Sequence, residues 1–342
     1  MPPRINISPP LLNTASPWAT TRDDLSRLYD LPSTGAVTTR TSLLASGFPQ
    51  DPNLHQHAFI SPSSSLNSYG YSPHPLEYYL DSISAVVTAA GPIANVKPFI
   101  ISVTGTPHEV RLCVAKVSKW SMEADPPITA YVEINLSCPN ILDKPPPAYS
   151  SAALREYLAE IQDLRSSSGV DVVPVGIKTP PYTYQNQFGE LIAAIEDYPG
   201  VISFITATNT LGNSLFLEPI KPSNSSTSDN TTSTPKDDSA LQMRSAISSE
   251  AGTGVGGLAG ESIHPLSLGN VFTIRRMLDA SARQEVQDIV VIGAGGVKDA
   301  DGYRRMRAAG AVAVGVGTAF GRDGIDVFDR ILNPGAAGGS PK

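Results

Sequence analysis

Eight short apolar runs recur along the chain, at 11–15 (LLNTA), 36–40 (AVTTR), 99–104 (FIISVT), 130–136 (AYVEINL), 173–178 (VPVGIK), 202–208 (ISFITAT), 289–293 (IVVIG) and 312–317 (VAVGVG). They are short and rich in β-branched residues, as strands buried on both faces of a parallel sheet are. Between them the apolar residues return at helical spacing. In 150–165, Leu154, Tyr157, Leu158, Ile161 and Leu164 fall on one face. Similar stretches occupy 76–90, 107–122, 187–197, 268–279 and 299–309, the last stopped by Gly310. Thr21 followed by Asp24 carries the start signal of a further helix over 21–30. Eight strands alternating with helices predict an α/β fold, a (β/α)8 TIM barrel, rather than a doubly wound open sheet.

Two regions break this rhythm. Residues 41–75 form a Ser/Pro/Asn-rich connection, longer than a compact domain ordinarily tolerates without a function. Residues 219–250 include KPSNSSTSDNTTSTPKDDS, with almost no apolar content, and are expected to be a disordered surface insert. The expected organisation is one barrel domain over 1–332 carrying that insert, then a flexible tail at 333–342.

Composition narrows the function. The chain has 342 residues, 41% of them hydrophobic, enough for one large barrel. A net charge of -7 argues against a nucleic-acid or anionic-membrane partner. No apolar run approaches the roughly 20 residues a membrane helix needs, and the first residues carry no targeting pattern. Two cysteines without metal spacing make a disulfide framework or a metal site an unsuitable reading, and a cytoplasmic location is expected.

In such barrels the chemistry gathers at the C-terminal ends of the strands. Those ends carry Ala15 and Ser16, Arg40, Asn135 to Asn140, Lys178, Asn209 and Thr210, Gly295 and Gly296, and Gly317 and Thr318. The last two pairs sit in Gly-rich turns (IGAGGVKDADG and VGVGTAFGRDG) whose backbone amides suit a phosphate, with GTGVGGLAG just upstream. Lys178 ends a buried strand, which suits a cation beside an anionic cofactor atom or a structural ion pair. Asn67, Asn135, Asn140 and Asn209 are ordinary turn residues singly, but together they would suit a flat ligand with amide-like edges. Cys138 lies just past its strand, where a general base is better placed than a core residue, whereas Cys113 sits inside a helical pattern. His264 is expected to close a turn.

At this point the chain resembles a known family. INLSCPN is similar to the signature of the dihydroorotate dehydrogenases, in particular the soluble class 1 branch that uses a cysteine base. LNTAS, VTTRTS, SSLNSYGY, KPPPAY, VGIKTPPY, ATNTLGNSLF and GVGGLAGESIHPL follow in the same order. The resemblance implies an FMN-dependent barrel that oxidises dihydroorotate to orotate in pyrimidine biosynthesis, reoxidised by fumarate or another soluble acceptor, as a cytosolic homodimer. It implies Cys138 as general base, with Lys178 and Arg40 at the reacting centre. Asn67, Tyr69, Gly70, Tyr71, Asn135, Asn140, Asn209 and Thr210 would hold the substrate. Ala15, Ser16, Arg40, Asn135, Lys178, Gly256, Gly257, Gly295, Gly296, Gly317 and Thr318 would hold FMN.

The sequence departs from the family's pattern at a few positions. Arg40 stands where a lysine is usual, Pro17 where glycine is usual, and Tyr69 and Tyr71 where smaller apolar residues are usual. Two other readings therefore stand beside the first: a flavin oxidoreductase for another pyrimidine-like or enone compound, and a non-catalytic paralogue serving as a binding or dimer partner.

Overall fold

The computed structural model describes residues 3–91, 97–141, 145–167, 171–220, 242–249 and 252–334. All eight expected strands are present: β1 (Leu11–Asn13), β2 (Val37–Thr38), β3 (Phe99–Val103), β4 (Ala130–Asn135), β5 (Val175–Thr179), β6 (Phe204–Ala207), β7 (Val290–Ala294) and β8 (Ala313–Val316). They hydrogen-bond in the order β1-β8-β7-β6-β5-β4-β3-β2, every pair parallel. The two ends of that row meet through a single parallel bridge, Leu12 to Ala36. A side chain reinforces this seam. The Asn13 carboxamide donates to the Thr38 carbonyl at 2.7 Å and accepts from the Thr38 N–H at 2.9 Å.

The period-2 alternation of the strands divides the buried residues into two cores. Leu11, Ile101, Val132, Ile177, Ile205, Val291 and Val314 face outward and pack under the helices. Leu12, Ala36, Ile100, Tyr131, Phe204, Ile292 and Ala313 face inward and fill the N-terminal half of the barrel, with Ile5 and Ile7 against them. The Tyr131 hydroxyl accepts from the Asn6 N–H at 3.0 Å and donates to the Asn6 carbonyl at 3.3 Å, holding the N-terminal segment across that end. The barrel is therefore closed below and open for chemistry only above.

The helices form where the periodicity predicts them, at Arg22–Asp30, Leu76–Ala90, Pro107–Glu123, Ser151–Ser167, Gln185–Asp197, His264–Asp279 and Ala300–Ala308. The first begins with a capping box: Thr21 accepts from the Asp24 N–H while the Asp24 carboxylate accepts from the Thr21 N–H. Gly310, at φ 109°, lets the chain turn after the Ala300–Ala308 helix where other residues would be strained.

The long 41–75 connection is not irregular throughout. It contains a hairpin, His57–Ser61 with Ser64–Asn67, which joins Gly256–Gly260 and Leu211–Ser214 in a four-stranded antiparallel sheet. The expected insert also begins and ends differently. Leu217–Pro219 pairs with Met243–Ser245 as a short antiparallel ribbon, while 221–241 lie outside the described residues. The tail from 335 onward lies outside them as well.

Candidate active site

Ascending each strand by two residues along its inward face changes the chemistry. On β4 the sequence is Tyr131, Glu133, Asn135; on β3 it is Ile100, Ser102, Thr104; on β6 it is Phe204, Thr206, Thr208. Above this polar layer a cavity opens at the C-terminal ends of the strands, enclosing about 1110 Å³ of space that is partly open to solvent. The antiparallel sheet supplies its remaining wall, because Ser65 and Asn67 from one strand and Ala259 and Gly260 from another line it.

Almost every residue singled out in the sequence lines this one cavity. Ala15, Ser16, Arg40, Asn67, Tyr69, Gly70, Tyr71, Asn135, Cys138, Asn140, Lys178, Asn209, Thr210, Gly295, Gly296, Gly317 and Thr318 are all present. Gly256 and Gly257 are not. They lie in the strand beside Asn67, where added Cβ atoms would meet the Asn67 carbonyl oxygen at 2.4 Å and the Thr210 hydroxyl oxygen at 2.2 Å. Their smallness serves the fit between strands, and the same strand reaches the cavity two residues later.

The four asparagines form two linked pairs. Asn140 donates to the Asn67 carboxamide oxygen at 3.2 Å and to the Tyr69 carbonyl at 2.9 Å. Asn209 donates to the Ser137 hydroxyl at 2.9 Å and reaches the Asn135 carboxamide oxygen at 3.4 Å. Cys138, half-buried, stands between Asn135 and Asn140 in sequence and lines the same cavity as both pairs. Cys113 is fully buried within its helix, and burial pushes its thiol up to about 12, which suits a core residue.

The cations are held differently. Lys178 is 5% exposed and extends from β5 into the cavity without an ion pair or hydrogen bond among the described residues. Arg40 donates to the Gln50 side chain at 3.3 Å, and its guanidinium lies 5.5 Å from the centre of the Tyr69 ring. Burial draws Arg40 below its ordinary range, while Tyr79, Tyr69 and Cys138 act in the opposite direction. Burial, then Cys138, pushes the Tyr71 phenol up. Tyr71 therefore stays neutral at physiological pH and serves as a polar wall.

Several lining residues carry no signal in the sequence. Trp18 and His57 meet edge to face at 5.4 Å, and His57 stacks near Tyr69 at 6.4 Å. His57 Nε2 is buried without a partner among the described residues, and burial lowers its pKa. Lys298 lines the cavity next to the Gly295–Gly296 turn and pairs with Glu261 at 2.7 Å. His264 opens the His264–Asp279 helix instead of closing a turn, and its side chain braces the Gly295–Gly296 turn: its Nδ1 lies 2.8 Å from the Gly295 carbonyl oxygen, and Arg305 donates to its Nε2 at 3.2 Å.

Three observations fit the FMN that the sequence resemblance implies. The Ser16 hydroxyl is buried beside the cavity without a partner among the described residues. Lys178 offers an uncompensated charge. At Gly296 (φ 72°) a Cβ would strike the Gly260 carbonyl at 2.6 Å, so glycine keeps this turn's backbone close to whatever lies above it.

Comparison with known proteins agrees with this reading. The chain matches the dihydroorotate dehydrogenase family over residues 5–334. A putative dihydroorotate dehydrogenase A (fumarate) of Streptococcus equi is 29% identical over 325 residues, covering 94% of this chain and 86% of that protein. A dihydroorotate dehydrogenase (fumarate) of Trypanosoma cruzi is 29% identical over 323 residues, covering 94% and 87%. The ligand-free DHODH of Eimeria tenella superposes with a TM-score of 0.65 at 16% identity, covering 96% of this chain and 85% of that one. The fold is shared and the family match runs nearly end to end, so this chain belongs to the dihydroorotate dehydrogenase family.

Proposed function

We propose that this protein is an FMN-dependent dihydroorotate dehydrogenase of the fumarate-using kind, oxidising dihydroorotate to orotate for pyrimidine biosynthesis. Proteins of the family are flavoproteins with this activity. The observation that carries the proposal is the meeting of Cys138, Lys178 and two asparagine pairs in one cavity above a closed barrel.

The reaction removes a proton from C5 and a hydride from C6, leaving the C5=C6 double bond of orotate. When bound, FMN supplies the two-electron acceptor for that hydride. Cys138 takes the C5 proton as general base. Asn67, Asn135, Asn140, Asn209 and Thr210 orient the ring and carboxylate, with Tyr69, Gly70 and Tyr71 closing the pocket. Lys178, with Arg40 nearby, offsets negative charge that develops during the reaction. Ala15, Ser16, Gly295, Gly296, Gly317 and Thr318 hold the cofactor, and Lys298 stands close enough to the glycine turn to assist with its phosphate.

Purified protein is expected to be yellow, to bleach on anaerobic addition of dihydroorotate, and to recolour with fumarate. Bound flavin that does not bleach would overturn the substrate assignment. The Arg40–Tyr69 stack is the observation that favours a second reading, a related pyrimidine-like or enone substrate. A panel of such compounds monitored at the flavin band separates the two.

We also infer a single barrel domain that assembles as a cytosolic homodimer. Leu215, Phe216, Leu217, Ile220 and Met243 support a partner surface, since they are exposed around the short ribbon. Among the described residues no helix is long and apolar enough to cross a membrane. A monomeric mass by light scattering would overturn the dimer.

A further inference from the structure

The roles proposed above leave a buried acidic side chain inside the barrel unused. Glu133 sits midway up β4 inside the barrel, 3% exposed, with no ion pair among the described residues. Its carboxylate accepts from the Thr206 hydroxyl at 2.6 Å and from the Ser102 hydroxyl at 3.2 Å. The 2.6 Å contact has the length of a charge-assisted O–H···O⁻ bond. A carboxylate inside a barrel is costly unless its oxygens are satisfied, and a structural purpose is not evident from packing alone.

The hydrogen bonds beyond Glu133 form a continuous line to the cavity. An ionised carboxylate has no proton to give, so Ser102 must donate to it. Ser102 then has only lone pairs left for Thr41, and Thr41 must donate across their 2.9 Å contact. Thr41 in turn has only lone pairs for Asn135, so the group 3.0 Å away must be the Asn135 NH₂. Its carboxamide oxygen is thereby directed to the other side. There it accepts from the Ser137 hydroxyl at 3.0 Å and from the Ser137 N–H at 3.3 Å, while Asn209 donates to that hydroxyl at 2.9 Å. Glu133, Ser102, Thr41, Asn135 and Ser137 are all buried, so bulk water competes little at the links among them. The acceptor-only Glu133 sets the direction of the bonds through Ser102 and Thr41 to Asn135, the donor-only Ser137 N–H favours the same orientation from the other side, and such chains strengthen along their length.

We propose that Glu133 is a positioning residue that fixes which edge of Asn135 faces the ligand. It leaves Asn135 with one N–H for the cavity, directed at an acceptor such as a carboxylate or ring carbonyl oxygen. This deepens the proposed function and rests on that reading for the identity of the ligand.

The test uses FMN-loaded protein and orotate, with binding followed by the flavin difference spectrum. Glu133→Gln keeps the shape but can present an NH₂ to Ser102, which reverses or scrambles the line. Ser102→Ala cuts the line and leaves the carboxylate in place. Each is expected to raise the orotate Kd about tenfold, the scale of one hydrogen bond lost from a polar network. The double variant should be no worse than the poorer single one, because both interrupt the same line. Thr206→Val removes the carboxylate's other bond and should lower the melting temperature while leaving the orotate Kd within twofold.

Unchanged affinity in both Glu133→Gln and Ser102→Ala would overturn the inference, as would full additivity of the two. Absence of orotate binding by the unmutated protein would instead overturn the proposed function. The inference is then decided without ligand, from the side-chain amide signals of ¹⁵N-asparagine-labelled protein, with Asn135 identified by its loss in Asn135→Asp. A shift of that signal in both variants supports the ordered line, and an unmoved signal in both refutes it.

Discussion

On the inward face of β4, Tyr131 belongs to the apolar lower core, whereas Glu133 and Asn135, two and four residues later, are joined in a polar network. Phe204 and Thr206 on β6 repeat the same change. The two layers share a backbone, a direction and nearly complete burial, so neither strand geometry nor exposure distinguishes them. Their difference lies in what the side chains require. The lower layer is satisfied by contact and gains from being filled. In the upper layer every buried polar atom needs a partner, so its geometry is dictated bond by bond. A barrel of this kind keeps stability at one end and exact placement at the other.

Substitutions in the two layers should therefore fail in different ways. The largest expected effect is at the mouth of the upper layer: Cys138→Ala should slow dihydroorotate-dependent flavin reduction by about 10²–10⁴-fold near neutral pH, with the fold intact. Stopped-flow absorbance measures it, and an unchanged rate would remove Cys138 as the base. In the lower layer, Phe204→Ala should cost about 3–5 kcal/mol in urea unfolding. The protein that remains folded should still reduce flavin at close to the normal rate. Loss of that rate at full stability would erase the distinction between the layers.

A milder probe is Tyr131→Phe, which removes the two bonds to Asn6 and should cost about 1 kcal/mol without altering orotate affinity. The smallest effect concerns pH. Burial holds His57 below its ordinary 6.5, so the unfolded chain takes up a proton before the folded one does. Stability from this source is full above about pH 6.5 and declines as the pH falls from there toward the folded-state value. His57→Phe keeps an aromatic ring beside Trp18 and Tyr69 and should flatten the melting temperature between pH 7 and 5. An equal acid slope in both proteins would rule His57 out as its source.

The barrel strands were legible because each buries two faces and so shows an unbroken apolar run. The antiparallel sheet was not, for a physical reason. Gly256–Gly260 is built of small residues and Ser64–Asn67 is mostly polar, so neither offers hydrophobic periodicity. Their pairing spans nearly two hundred residues and is invisible locally. The strand-end rule found most of the cavity's lining, but it missed His57, Ser65 and Lys298, which arrive from that sheet or beyond the strand tips. Glu133 did leave a trace, as the lone charged residue in AYVEINL. A charge inside a run that buries both faces is a request for partners, and the sequence alone could not name them.

The seam between β1 and β2 carries a different kind of consequence. Most of the barrel is held by runs of main-chain bonds that any sequence supplies, but here a single backbone bridge is supplemented by the Asn13 side chain, which bonds Thr38 in both directions. Closure of the ring thus leans on the identity of one residue as well as on its backbone. Evolution can loosen or tighten this joint by a point mutation at Asn13, an option that is weaker where a longer main-chain ladder carries the pair.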